Sequence, residues 1–173
     1  MSRRTKALGA AAAAALMGSF AVLGIATAAA DPDNSADLDT LARSVSKGYD
    51  LSNCTAQQLT DSGELAALLC GQSPDSNGPA NALYALFDNA NNLASSFSSS
   101  IKDLSMATCG DAGESPTTWR QGSAGQTAGR VACGTHNNAA TIIWTTDSKN
   151  VLGHITASNG DLDALYQWWR TKG

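Results

Sequence analysis

The fold of this chain is decided by residues 129–157, which read GRVACGTHNNAATIIWTTDSKNVLGHITA. Valine, isoleucine, threonine and tryptophan crowd into three segments of this stretch, 129–134, 140–146 and 150–157. β-Branched and aromatic side chains suit the pleated surface of a sheet. The polar run Asp147-Ser148-Lys149 is short enough for a tight turn between the last two segments. The stretch therefore predicts an antiparallel meander.

Two more strands are predicted upstream, over residues 64–70 and 81–87. Between them lies a run of residues that favour turns, Ser73-Pro74-Asp75-Ser76-Asn77-Gly78-Pro79, which suits a hairpin connection. The leucines and alanines of both flanks would also allow a helical hairpin, so that alternative stays open here. Residues 117–121 are a further candidate strand, which brings the expected sheet to five or six strands.

Three helices are predicted from capping residues and from the spacing of apolar side chains. The first is capped by Asp37 and ended by Gly48, the second begins at Asp88, and the third opens at Gly160-Asp161. Apolar residues recur every three or four positions in each: Leu38, Leu41, Ala42 and Val45, then Leu93, Phe97, Ile101 and Leu104, then Leu162, Leu165, Tyr166 and Trp169. The sequence thus predicts an α+β fold, an antiparallel sheet of about five to six strands packed with two or three helices.

Residues 1–30 have the features of an export signal. Arg3, Arg4 and Lys6 precede an uncharged stretch, and Ala28-Ala29-Ala30 offers a cleavage site before Asp31. The uncharged stretch is also long enough for a membrane anchor. Its alanine and glycine content and the adjacent cleavage site favour removal instead. We therefore expect a signal peptide at 1–30, a polar start and short helix at 31–47, and one α+β domain at 48–173.

The exported part is acidic. Three of the eleven Lys and Arg residues lie in the leader and all fifteen acids follow it, so eight basic residues remain against fifteen acids, a net charge of −7. Such a surface disfavours binding to nucleic acid or to an anionic membrane. We expect no nucleic-acid partner and no stable membrane insertion after the leader is cleaved.

The exported part also contains all four cysteines of the chain, Cys54, Cys70, Cys109 and Cys133. In an oxidising compartment an even number of cysteines indicates disulfides. Three pairings are possible, and we favour Cys54 with Cys70 and Cys109 with Cys133, because each pair brackets one modular stretch of chain. The competing interpretation is a zinc site, but no Cys-x-x-Cys pair is present and the two histidines lie apart. We expect no metal and no cofactor.

The residues that could carry catalysis lie in unfavourable settings. His154 falls inside a predicted strand and His136 in a turn, and the sequence lacks the Gly-x-Ser-x-Gly motif of a nucleophilic serine. Asp111 and Glu114 could suggest a glycosidase pair, but solvation of a loop explains both. We expect no catalytic residues.

Several motifs of the chain resemble a domain of exported mycobacterial proteins. They are Ala66-Ala67-Leu68-Leu69-Cys70-Gly71, Asn77-Gly78-Pro79, Tyr84-Ala85-Leu86-Phe87, Ser115-Pro116 with Trp119, Gly129-Arg130-Val131-Ala132-Cys133-Gly134, Ile143-Trp144-Thr145, Leu152-Gly153, and Asp161-Leu162-Asp163-Ala164-Leu165-Tyr166-Gln167-Trp168-Trp169. Such domains occur as the extracytoplasmic sensor-like part of membrane serine/threonine kinases and as stand-alone secreted proteins. The resemblance covers residues 48–170 and implies a fold rather than an activity. The nucleotide loop and the catalytic motifs of kinases are absent from the sequence, so the chain resembles the sensor-like part alone.

Trp168 is the candidate partner-binding residue. Adjacent helical residues point about 100° apart, so Trp168 and Trp169 cannot both lie at the centre of one apolar stripe. Trp169 continues the stripe of Leu165 and Tyr166, and we therefore expect Trp168 at its margin, partly exposed. An exposed aromatic there could anchor a protein, a glycan or a lipid chain. The alternative is that Trp168 completes the core.

The sequence therefore predicts a secreted, non-catalytic extracytoplasmic domain that binds a ligand or a protein partner at the cell envelope. Two alternatives belong to other classes. One is a small hydrolase that acts on cell-envelope material, and the other is a purely structural envelope protein.

The leader yields the first testable prediction. Signal peptidase should cleave after Ala30, because small residues there follow a charged and then an apolar segment. N-terminal sequencing of the protein recovered from culture medium should begin at Asp31. Recovery of the chain from membranes alone, with its leader intact, would contradict this expectation.

Overall fold

The computed structural model describes residues 34–49, 51–121 and 125–173, so the predicted leader and Asp31 lie outside the described residues. The described residues form three helices, α1 (Ser35–Ala42), α2 (Ala90–Ser100) and α3 (Leu162–Lys172). They also form eight strands: β1 (Cys54–Ala56), β2 (Glu64–Cys70), β3 (Asn81–Phe87), β4 (Ser105–Ala107), β5 (Thr117–Arg120), β6 (Thr127–His136), β7 (Ala139–Thr146) and β8 (Val151–Thr156).

All eight strands belong to one antiparallel sheet. The strand order is β1-β2-β3-β8-β7-β6-β4, and β5 pairs with the first part of β6. The predicted α+β fold, the β2–β3 hairpin and the β6–β7–β8 meander are confirmed, and the helical-hairpin alternative is wrong. The sheet exceeds the predicted five to six strands because β1 and β4 have three residues each, too few to show an alternating pattern.

The helix boundaries differ from the predicted ones at three ends. Helix α1 begins at Ser35, two residues before Asp37, and it ends at Ala42, well before Gly48. The N-cap of α2 is Asn89, whose side chain accepts the N–H groups of Asn91 and Asn92, and not Asp88. Asp161 caps α3 as predicted and accepts the N–H of Ala164. No helix in the described ranges is long and apolar enough to cross a membrane.

The sheet lies between two helical layers. Helices α1 and α3 cover one face, where Tyr84 and Trp144 belong to the larger buried cluster. Helix α2 covers part of the other face and packs against Ala85, Ile143 and Leu152. Strand alternation produces this division, because neighbouring residues of a strand point to opposite faces.

The close approach of one aromatic ring requires a glycine in β8. Gly153 is the register partner of both Tyr84 and Trp144. A Cβ at this position would lie 2.3 Å from Cζ2 of Trp144. The absence of a side chain therefore leaves the space that the indole of Trp144 fills.

Both predicted disulfides are confirmed. Cys54 and Cys70 are direct register partners in β1 and β2, with their Cα atoms 4.0 Å apart. Cys109 lies after β4 and is linked to Cys133 in β6, with a Cα–Cα distance of 5.2 Å. Each bridge removes roughly 3 kcal/mol of conformational entropy from the unfolded chain in the loop-closure estimate. Two such bridges are typical of a domain from an oxidising compartment.

Candidate functional site

The four tryptophans and three tyrosines of the chain form one continuous aromatic cluster on the face that α1 and α3 cover. Trp144 is at its centre, with ring centroids 6.0 Å from Tyr84 and 5.8 Å from Trp169. From there the contacts continue in two directions, edge to face in nearly every pair. One direction ends at Tyr49 and Trp168, and the other at Trp119 and Tyr166.

Trp168 lies in this cluster and not at an exposed margin. Its relative exposure is 6 %, so the expectation that it is partly exposed is wrong and the alternative, that it completes the core, is correct. Its indole Nε1 donates to Oδ2 of Asp75 at 3.0 Å, and its ring contacts Tyr49 at a centroid distance of 5.9 Å. The segment that follows α1 packs closely on the ring, since a Cβ at Gly48 would lie 2.5 Å from Cζ2 of Trp168. The same segment is tied to α3 by Lys47 N, which donates to the carbonyl of Lys172 at 2.8 Å.

The charged and polar groups in the corner around Trp168 are already paired with one another. The N–H of Trp168 and, more weakly, the ammonium of Lys172 at 3.3 Å lower the pKa of the partly exposed Asp75 carboxyl. Asp75 therefore stays ionised at neutral pH and remains paired with both groups. A shallow groove runs between this corner and α3, but the charged groups that line it, Asp75 and Lys172, already pair with each other.

A different groove opens at the other end of the aromatic cluster, between the end of β5 and the last turn of α3. Its cavity of about 220 Å³ is lined by Trp119, Arg120, Gln121, Trp169, Arg170 and Gly173. We call these six residues the arginine groove. A neighbouring cavity of about 390 Å³ shares Trp119, Arg120 and Arg170 with it and extends it toward Asp111 and Thr118.

Strand β5 and helix α3 each place a Trp-Arg pair at this groove. In β5, Trp119 is buried and its Nε1 donates to the carbonyl of Thr145 at 2.7 Å, whereas Arg120 is exposed after a shift in register. In α3, Trp169 is buried against Trp119 at a centroid distance of 5.4 Å, and Arg170 is exposed. Each tryptophan thus forms a rigid wall while the following arginine reaches solvent.

The indole N–H of Trp169 is a buried donor without an acceptor. The side chain is 2 % exposed, and Nε1 has no hydrogen-bond partner among the described residues. The edge of the indole that carries Nε1 faces Gly173, where a Cβ would lie 2.7 Å from the nitrogen. A buried donor without a partner typically costs about 1–3 kcal/mol. Tyr49 Oη is also buried and unpartnered, but only the indole of Trp169 lies on the wall of this groove.

The two arginines of the groove differ in their ion pairs. Arg170 lies 3.5 Å from Oδ2 of Asp111, whose other oxygen accepts the hydroxyl of Tyr166 at 2.7 Å. The hydroxyl of Tyr166 lowers the pKa of Asp111, and Arg170 lowers it more weakly. Burial and the carboxylate of Asp111 in turn raise the pKa of Tyr166 to about 12. The side chain of Arg120 makes no ion pair with the residues that the structure describes.

The two histidines lie away from this groove. His154 is in β8, and burial followed by the charge of His136 lowers its pKa to about 4. Its Nε2 is 3.4 Å from the hydroxyl of Thr156, and Nδ1 of His136 is 3.4 Å from the carbonyl of Asp103. Neither ring bonds to a serine or a carboxylate within the described ranges. No cluster of metal-binding side chains occurs in those ranges.

Trp168 is the site residue that the sequence predicts, and the residues of the arginine groove are not predicted from it. The repeated dipeptide, Trp119-Arg120 and Trp169-Arg170, is the signal that could have indicated them. In a strand or at a helix margin, such a pair presents a buried ring beside an exposed guanidinium. That the two pairs meet was not deducible, because they are fifty positions apart and belong to different elements.

Substitution of the adjacent tryptophans tests their common burial. Trp168→Ala and Trp169→Ala should each lower the free energy of unfolding by about 3 to 5 kcal/mol, because both leave a large cavity in a packed interior. Denaturant melts measure both values. Trp168→Phe, which keeps a ring but removes the hydrogen bond to Asp75, should cost less than Trp168→Ala. A loss below about 1 kcal/mol for Trp168→Ala would show that this ring lies at the surface after all.

The partly buried position of His154 predicts a pH dependence of stability. In the unfolded chain its pKa is about 6.5, so between pH 7 and pH 5 the unfolded state gains protons that the folded state does not accept. The free energy of unfolding should therefore fall by about 1 to 2 kcal/mol over this range. His154→Gln should remove most of that fall in urea melts, whereas His136→Gln, which removes only the weaker of the two causes, should retain most of it. Equal pH slopes for the wild type and His154→Gln would contradict the prediction.

Comparison with known proteins gives no indication of what this site binds. Neither a protein-family model, nor a curated protein, nor a solved structure matches the chain. The resemblance to the sensor-like domain of membrane serine/threonine kinases is neither supported nor opposed by these comparisons, and it stays a prediction. The function is therefore inferred from the geometry and chemistry of the arginine groove.

Proposed function

We propose that this protein is a secreted, non-catalytic domain that binds a ligand or a protein partner at the cell envelope, and that the arginine groove is its binding site. One observation carries the proposal. The side chain of Arg120 is exposed, lines a groove together with Trp119 and Trp169, and has no ion pair in the described part of the chain. A bound acceptor would pair with this guanidinium.

The construction of the groove supports a binding role. Both walls belong to the core, because Trp119 and Trp169 are buried and pack against each other. The Asp111 carboxylate holds Arg170 from one side. A ligand would therefore meet a site that is already organised, which lowers the entropic cost of binding.

The export of the protein is part of the proposal. The leader at 1–30, the cleavage site before Asp31 and the even number of cysteines support an extracytoplasmic location. The two disulfides agree with this, since they persist in oxidising compartments.

The two alternatives have less support. A hydrolase needs a base that bonds to its nucleophile, and the partners of His136 and His154 are a backbone carbonyl and a threonine hydroxyl. A purely structural envelope protein would not require the groove that the two Trp-Arg pairs form.

Thermal shifts test the proposal. The purified protein should melt at a higher temperature with at least one member of a panel of envelope peptides, glycans and lipids, because binding to the folded state alone raises its stability. Gln121→Trp places a bulky ring in the groove and should abolish this rise. Gln58→Trp makes the same change at an exposed position outside the groove and should leave it intact.

Two results would overturn the proposal. One is the absence of any shift across the panel. The other is a shift of equal size in the wild type and in Gln121→Trp, which would place the binding site elsewhere.

A further inference from the structure

We infer that Asn159 is a site of spontaneous deamidation, and that the fold protects Asn77, which has the same neighbours in sequence, from this reaction. The tripeptide Ser-Asn-Gly occurs twice in the chain, at 76–78 and at 158–160. An asparagine that precedes glycine can react with the next backbone nitrogen, because glycine has no side chain to block the approach. The sequence alone therefore gives both sites the same reactivity. The difference between them lies in their hydrogen bonds, and it is independent of the arginine groove.

The reaction needs no partner except water. The backbone nitrogen of Gly160 forms a bond to Cγ of Asn159, the bond from Cγ to Nδ2 breaks, and ammonia leaves with the proton of the Gly160 N–H. The product of this step is a cyclic succinimide. Water then opens the ring at one of its two carbonyls. One opening yields aspartate, and the other yields isoaspartate, in which the main chain runs through Cγ.

The surroundings of Asn159 leave this reaction open. Asn159 and Gly160 are both exposed in the bend between β8 and α3. The N–H of Gly160 makes no hydrogen bond to the residues that the structure describes, so none has to break before the nitrogen attacks. Oδ1 of Asn159 accepts the N–H of Asp161 at 3.0 Å, which folds the side chain back over the peptide bond to Gly160. The same N–H stabilises the negative charge that forms on Oδ1 during the attack.

At Asn77 the nitrogen that would attack is already engaged. The N–H of Gly78 donates to the carbonyl of Asp75 at 2.9 Å. The turn that contains this bond is also held by α3, because the side chain of Asp75 accepts the indole N–H of Trp168 at 3.0 Å. An attack on Asn77 therefore requires the loss of a hydrogen bond inside a turn that is fixed in place.

The two products of the reaction differ in their effect on α3. Aspartate at position 159 keeps an oxygen for the N–H of Asp161, and its negative charge lies near a helix N-terminus, where it is favourable. Isoaspartate adds one carbon to the main chain between two anchors. One anchor is the carbonyl of Asn159, which accepts the N–H of Ala140 at 2.7 Å, and the other is Asp161, the N-cap of α3. Isoaspartate should therefore loosen the docking of α3 on the aromatic cluster, whereas aspartate should not.

Peptide mapping by mass spectrometry tests the inference on the purified protein with its disulfides intact. The protein is kept in a mildly alkaline buffer, and the conversion of each asparagine is followed over time. We expect Asn159 to react roughly threefold to tenfold faster than Asn77, which is the ratio that one net hydrogen bond contributes. A sample that is reduced and unfolded in urea should lose this difference, because the two sites then differ only in more distant neighbours.

Gly160→Ala is the decisive variant, because a methyl group beside the reacting nitrogen hinders its attack. A Cβ at this position would lie 3.2 Å from the carbonyl oxygen of Asn138 in an exposed turn, and a small shift of that turn accommodates it. The variant should slow the reaction of Asn159 severalfold. The rate at Asn77 in the same molecule is the matched control and should not change.

Thermal melts test the consequence for α3. Asn159→Asp should melt like the wild type, whereas the isoaspartate fraction, separated by chromatography, should melt at a lower temperature. An isoaspartate fraction that melts like the wild type would overturn the effect on α3.

Three results would overturn the assignment of the reactive site. They are a rate at Asn77 in the folded protein that equals or exceeds the rate at Asn159, an unchanged rate at Asn159 in Gly160→Ala, and an intact Asn159 in the folded protein after the unfolded chain has reacted. None of these results bears on the arginine groove, so the proposed function is tested separately.

Discussion

The edge-to-face packing of seven aromatic rings holds this structure together. All tryptophans and tyrosines of the chain meet in one cluster on one face of the sheet, although they come from strands, from α3 and from the segment after α1. Large aromatic side chains bury more apolar area than any others, so a cluster of seven dominates the energetics of a domain of this size. The position of α3 against the sheet follows from it, because α3 carries Tyr166, Trp168 and Trp169.

The cluster also places polar groups at its rim, because each of its rings carries an N–H or O–H group that needs a hydrogen-bond partner. Tyr84 donates to Ser46, Trp168 to Asp75 and Tyr166 to Asp111, so the rim of the cluster is lined by short polar contacts. Burial raises the pKa of Tyr84 to about 12, which keeps that hydroxyl a donor at every physiological pH. Trp169 differs from these rings, since its donor has no partner among the described residues. The packing of the fold and the groove proposed to bind a ligand thus share one set of side chains.

Burial of Trp168 shows where reasoning from a helix alone stops. On an isolated helix, the spacing places Trp168 to one side of the stripe that Trp169 continues. In the folded protein a second wall closes that side, formed by residues 46–49 and by the turn that carries Asp75. The apolar stripe of α3 is therefore wider than one contact with a sheet would require. The sequence does not indicate that Gly48 and Asp75 pack on Trp168, because both are residue types that are common in turns.

The sequence by itself determined the class of the fold, the meander over residues 129–157, the hairpin of β2 and β3 and the pairing of the cysteines, because these features depend on local patterns and nearby positions. Only the tertiary structure decided the three-residue strands, the burial of Trp168 and the arginine groove. These depend on contacts between elements far apart in the chain. Trp119-Arg120 and Trp169-Arg170 become one site only after β5 and α3 have packed on the same aromatic cluster, and no local pattern encodes that meeting.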